Sequence, residues 1–189
     1  MFTSVGYCEE FLKVSPLLVL LKDAGKDKAY SLRSFVFIGM ACGLGFGIAE
    51  GWHYHSNQYL PQELGLSIYI GRFFGVATLH AIWTGIAAAI LWTIRDAWLD
   101  IWRNKIYGNE LDVLIKSAVF FLLSVLTCAP TMFIHATYNV SHTVIGFAVN
   151  VGAVMLLFRL VSDKGSIRLS RLSKIWAGLV HGIGLEEQS

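Results

Sequence analysis

Five long stretches of apolar residues, separated by short polar segments, organise the chain: about 2–21, 34–52, 70–94, 113–139 and 142–161. Each has the roughly 20 residues that a helix needs to cross the hydrocarbon core of a bilayer, and hydropathy of this length predicts transmembrane helices. The fourth stretch contains Pro130, which predicts a kink or break, because proline removes a backbone donor and clashes with the preceding turn.

Composition agrees with that pattern. Hydrophobic residues make up 55% of the 189 and charged residues only 15%, against about 25% in a soluble domain. Disorder is excluded, and the expected fold class is all-α: a polytopic membrane helix bundle of about five transmembrane helices plus a C-terminal amphipathic helix. A net charge of +2 gives no reason to expect nucleic acid as a partner. Cys8, Cys42 and Cys128 each lie in apolar sequence without CxxC spacing, so neither a disulfide framework nor a cysteine metal site is predicted. The first apolar stretch carries Glu9, Glu10 and Lys13 and lacks a basic start, unlike a cleavable signal peptide.

The basic residues give a direction. Lys22, Lys26, Lys28 and Arg33 follow the first stretch, Arg95, Arg103 and Lys105 follow the third, and Arg159, Lys164, Arg168, Arg171 and Lys174 follow the fifth. Twelve of the 15 thus fall on one side of the bundle. The positive-inside rule makes that side cytoplasmic, predicting a multi-pass protein of the cell (inner) membrane with its N-terminus outside and C-terminus inside. Trp52 and Tyr54 at one boundary, and Trp92, Trp98 and Trp102 at the other, fit interfacial aromatic belts. Residues 166–183 gather Leu172, Ile175, Trp176, Leu179 and Val180 on one face, as in a helix lying on the cytoplasmic leaflet. The expected division is a membrane core over 1–163 and an amphipathic tail over 164–189.

Ionisable groups inside spans cost about 2.5–3.5 kcal/mol each on insertion scales. They are Glu9, Glu10 and Lys13 in the first span, Glu50 in the second, His80 in the third and His135 in the fourth. Glu9 and Lys13 stand at i, i+4, a spacing that allows a local ion pair, as do His135 and Asn139, which share a face. Singly, each histidine reads best as a satisfied core residue. Together the groups fall in one half of the bilayer: at 1.5 Å per residue Glu9 is about 10 Å below the outer end of its span and His80 roughly 12 Å inward from Arg72. Bringing Glu50 to the depth of His80 requires the second span to tilt or to run on past Trp52. Gly39, Gly43, Gly47 and Gly51 recur every four residues, and Gly71 and Gly75 open the third span; such small-xxx-small faces let helices approach closely in lipid.

These residues form a recognisable series. Glu9-Glu10-Phe11-Leu12-Lys13 matches EExxK, Phe46-Gly47-Ile48-Ala49-Glu50 matches FxxxE, His80 opens His-Ala-Ile-Trp-Thr-Gly, and His135-Ala-Thr-Tyr-Asn139 matches HxxxN. In this order, over roughly residues 7–160, the chain resembles the PrsW family of intramembrane proteases, a family related to the CAAX prenyl endopeptidase and ABI bacteriocin-immunity group. The resemblance implies an endopeptidase acting on a membrane-anchored protein or peptide within the lipid bilayer, at an extracytoplasmic depth. It also implies hydrophobic segments ahead of EExxK, whereas this chain begins eight residues before Glu9, so a core lacking the family's leading helices is expected.

Peptide hydrolysis needs an activated water, a stabilised oxyanion and a proton for the leaving amine. Glu9 is the expected base, with Glu10 second and Lys13 supporting both. Two versions stand. In one, Glu50, His80 and His135 hold Zn2+ or another divalent metal with a water in the fourth position. In the other, Glu9 and His80 activate water directly and His135 with Asn139 binds the oxyanion. No HExxH-like spacing decides between them. Arg72 reads as a boundary residue that snorkels, ahead of a contact to a substrate carboxylate. His53, His55 and His142 read as loop histidines. A non-catalytic immunity or scaffold protein and an ion-coupled transporter are the competing classes; transport ranks last because the polar groups are one-sided and no inverted repeat is present. Oligomeric state, substrate and cleavage site are open.

Overall fold

The computed structural model describes residues 2–24, 30–59, 65–103, 110–140 and 144–162, with 165, 167–169, 171–172 and 174–175 of the tail. Among them there are helices and no strands. In chain order they are α1 (Phe2–Ala24), α2 (Leu32–Tyr54), α3 (Leu66–Ile70), α4 (Ala77–Thr93), α5 (Arg95–Arg103), α6 (Glu110–Val140) and α7 (Val144–Val161). Two π-helical stretches extend this set, His55–Tyr59 after α2 and Gly71–Val76 between α3 and α4. His142 and most of the predicted amphipathic tail, Trp176 included, lie outside the described residues.

Among the described residues, four helical segments are long and apolar enough to cross a membrane: Leu32–Asn57, Leu66–Thr93, Val113–Val140 and Val144–Val161. The second span does run on past Trp52, as its glutamate required. α1, the fifth expected span, has 23 residues but is not among these four; its sequence carries Glu9, Glu10, Lys13, Lys22 and Asp23. It is an integral part of the bundle all the same, with Val14, Leu17, Leu18 and Leu21 buried against the other helices.

Local chemistry explains the continuity of two proline-containing helices. Pro16 cannot donate to the carbonyl of Leu12, and the Ser15 hydroxyl does so instead at 2.9 Å. Pro130 does not break α6, which runs unbroken for 31 residues. Ser31 caps α2, its hydroxyl accepting from the Ser34 amide at 3.1 Å.

The glycine stripe decides how α2 meets α4. Gly39, Gly43, Gly47 and Gly51 are all buried. A methyl group on Gly47 would stand 2.6 Å from Ala77 Cα, and one on Gly39 2.5 Å from Ala88 Cβ. Gly71 and Gly75, expected to serve the same purpose, are exposed with open space around them; they belong to the π-helical stretch and not to a helix contact.

The bundle has two unlike ends. Leu17 and Leu21 of α1, Leu32 and Phe35 of α2, Ile86 and Leu91 of α4, Leu123 of α6 and Leu157 of α7 form an apolar core. It lies where α1 finishes and α2 begins. The titratable residues collect toward the opposite end. Trp92, at the end of the span Leu66–Thr93, and Trp98 just beyond it are also buried in the apolar end. Trp98 packs edge-on to Phe120 at 5.1 Å, and Trp92 donates its indole N–H to the Tyr30 carbonyl at 2.9 Å. Trp98 belongs to α5, a helix that the run of charges after the third span conceals.

Candidate functional site

Helices α1, α2, α4 and α6 each deliver a glutamate or histidine to one buried locus. On α1, Lys13 Nζ donates to Glu10 Oε1 at 2.6 Å, both side chains fully buried. The expected Glu9–Lys13 pair is thus replaced by a Glu10–Lys13 pair at i, i+3. Spacing on a helix admits either, and Lys13 turns inward, its ammonium 4.5 Å from the Phe46 ring centroid. The same Glu10 oxygen accepts from His135 Nδ1 of α6 at 3.0 Å. Glu9, one residue earlier, is partly exposed and stands 3.8 Å from His135 Nδ1.

A parallel arrangement joins α2 to α4. His80 Nε2 donates to Glu50 Oε2 at 2.8 Å, and Glu50 Oε1 lies 2.7 Å from Arg72 Nη2. Arg72 therefore does not snorkel to water. Its guanidinium lies over the Tyr54 ring at 4.1 Å, while Nε and Nη2 are buried without an aligned acceptor. By distance the Glu50 contact is an ion pair, held by charge and by the ring and not by a straight hydrogen bond.

The two halves meet through the imidazoles, whose rings are perpendicular with centroids 5.3 Å apart. Trp83 floors this contact. It stacks on His135 at 4.7 Å and meets His80 edge-on at 5.1 Å. Its indole N–H donates to Asn150 Oδ1 of α7 at 3.0 Å, and Asn150 Nδ2 in turn donates to the Gly146 carbonyl. Phe46 closes the other side, 5.6 Å from His80. Trp83 and Asn150 escape a reading of the sequence because an indole and a single amide in apolar helices look like packing. The one signal was Asn150 itself, a polar residue whose burial needs a partner.

A carboxylate only accepts hydrogen bonds, so these contacts fix the tautomers. His80 carries its proton on Nε2 and His135 on Nδ1. His80 Nδ1 is left as a bare, buried nitrogen without a partner, and Glu10 Oε2 is likewise buried and unpartnered. Asn139 is exposed near the end of α6, outside this set of contacts. His53 and His55 are elsewhere: His53 Nδ1 is 3.2 Å from Asn57 Nδ2, and His55 Nδ1 3.2 Å from Tyr69 Oη.

The donor chemistry suits a metal ion, since imidazole nitrogen and carboxylate oxygen are zinc ligands and two such atoms lie buried without partners. Among the described residues, however, no group of three His, Cys, Asp or Glu side chains is gathered to hold one. Of the expected ligands, Glu50 is already engaged through both oxygens.

Fold and site together define a helical membrane protein whose costly polar groups from four helices converge in its interior. A family model, PrsW family intramembrane metalloprotease, matches residues 1–162. The chain belongs to that family and is an intramembrane protease, as the order of its motifs implied. No curated protein and no solved structure matches it.

Proposed function

We propose that the chain cuts a membrane-anchored protein or peptide with water activated by Glu9, at a site in the outer half of the membrane. The observation that carries this reading is the meeting of His80 and His135, each bonded to a glutamate of another helix. Glu9 is the carboxylate beside His135 that keeps some access to water, which a general base requires. Glu10, locked by Lys13 and His135, orients the imidazole. The position of the basic loops supports the outer depth, with the N-terminus outside and the C-terminus cytoplasmic.

A divalent metal would be held by the ring nitrogens that the glutamates leave over, Nδ1 of His80 and the second ring nitrogen of His135, with Glu50 orienting His80 and Glu10 orienting His135 from behind. Of the expected ligand set Glu50, His80 and His135, the two histidines keep that role, and Glu50 would have to release Arg72 or His80 to join them. A bound Zn2+ supplies Lewis acidity toward the scissile carbonyl or its attacking water. The chain's own residues hold the imidazoles in fixed tautomers, exclude bulk water with Trp83 and Phe46, and take up a proton at Glu9. Asn139, exposed one turn beyond His135, is placed to meet the substrate backbone and not to complete the buried set.

Co-expression with a single-span substrate tests the reading. Glu9→Ala and His135→Ala are expected to abolish cleavage while both variants accumulate in the membrane. Undiminished cleavage by either would contradict it.

A further inference from the structure

Arg72 lies outside all four motifs, yet it is built into the site. The π-helical stretch Gly71–Val76 carries it between two exposed glycines, and π-helical turns inside helices often mark functional positions. Three contacts then run in series. The Tyr54 ring lies under the guanidinium at 4.1 Å, the guanidinium lies 2.7 Å from Glu50 Oε1, and Glu50 Oε2 receives the proton of His80 Nε2 at 2.8 Å. The last member, His80, is fully buried and keeps a bare Nδ1 with no partner. Leaving such an atom unsatisfied in an apolar interior is costly, and the arrangement matches the carboxylate–imidazole pairs that orient histidine ligands.

We propose that Arg72 is a positioning residue of this protease: by holding Glu50 Oε1 it aims Oε2 at His80, fixes the Nε2–H tautomer and presents Nδ1 to the site. The guanidinium touches no reacting atom. Its effect passes through Glu50, and the Tyr54 face sets the direction from which it approaches. A mere helix staple would contribute stability but would leave the protonation pattern of the imidazole unchanged.

The assignment deepens the proposed function, resting on His80 as a member of the site, but its first readout needs neither substrate nor metal. Full-length protein carrying 15N-labelled histidine is reconstituted in nanodiscs, and His80 is assigned by loss of its signals in His80→Gln. The wild type is expected to show His80 as a single Nε2–H tautomer. Arg72→Gln is expected to populate both tautomers, and Arg72→Lys, which keeps the charge but not the planar stack, to recover part of the bias. In a parallel titration with Zn2+ alone, Arg72→Gln is expected to weaken binding by about 10- to 100-fold, the usual cost of losing a partner that orients a ligand. If Arg72→Gln does not accumulate folded, Tyr54→Leu replaces it, with the same loss of tautomer bias expected. A folded Arg72→Gln, or Tyr54→Leu in its place, that keeps the wild-type tautomer overturns the proposal. If the wild type binds no Zn2+, the metal part of the proposed function fails, and the tautomer comparison alone decides on Arg72.

Discussion

His80 and His135 meet ring edge to ring face, 5.3 Å between centroids, although 55 residues separate them in the chain and each is bonded to a glutamate from a different helix. Four helices are thereby tied together at one end of the bundle. The same contacts that stabilise the assembly also set which nitrogen of each ring is free.

The Glu10–Lys13 pair gives a stability prediction. Both groups are fully buried, so Lys13→Ala leaves a buried carboxylate without its cation, a change that costs about 3–5 kcal/mol. Combining Lys13→Met with Glu10→Gln removes the charge from both partners and keeps an acceptor for His135. The double variant is expected to regain most of the lost thermal stability in detergent. A single Lys13→Ala that unfolds at the wild-type temperature would show that the pair is not buried.

Helix contact can be separated from helix propensity along α2. Gly47→Ala places a methyl 2.6 Å from Ala77 Cα and 3.0 Å from His80 Cδ2. It should force α2 from α4, lengthen the Glu50–His80 bond and cost about 1–3 kcal/mol by overpacking, with activity lost. Gly45→Ala, two residues away with open space around it, should leave stability within about 0.5 kcal/mol or raise it, since alanine is the better helix former. Equal behaviour of the two variants in thermal unfolding would argue against close packing of α2 on α4.

Trp83 is predicted to matter twice. Trp83→Phe keeps an aromatic face under His135 but strands Asn150 Oδ1, at a cost of about 1–3 kcal/mol for an unsatisfied buried acceptor. Trp83→Ala loses the stacking as well and should cost about 3–5 kcal/mol. Partial activity in the first and none in the second, measured at matched membrane levels, is the expected order. The reverse order would remove Trp83 from the floor of the site.

Orientation is open to chemical labelling. In a cysteine-free background, a thiol at Ser56, just past the C-terminal end of α2, should react with a membrane-impermeant maleimide in intact cells. One at Ser170 should react only after permeabilisation. The opposite pattern would turn the protein over and put the site in the cytoplasmic half.

Much of this fold can be read from the order of residues, because membrane helices declare themselves by length and by uninterrupted apolarity. The expected stretch at 34–52 became Leu32–Tyr54, and that at 113–139 became Glu110–Val140. The every-fourth-residue glycines identified a real contact face. What stayed hidden was azimuth and partner choice. Lys13 pairs with Glu10 and not Glu9, because i+3 and i+4 neighbours differ only in the direction they face around the helix. Gly71 and Gly75 share the glycine spacing but face open space, while Arg72 and Phe73 between them face α2. Arg72 reads as a boundary charge until Glu50 and Tyr54 are seen around it. The packing of Trp98 on Phe120 stays hidden because its flanking charges mask the amphipathic helix α5.

The most direct measurement uses purified protein in nanodiscs with a single-span substrate, the products identified by mass. Wild-type protein is predicted to yield a cut within or beside the substrate's membrane span, on its outer side. Glu9→Gln, which keeps the size of the side chain but cannot take up a proton, should lower the rate by about 10²- to 10⁴-fold, the usual contribution of a general base. Cleavage by Glu9→Gln at the wild-type rate would contradict the account.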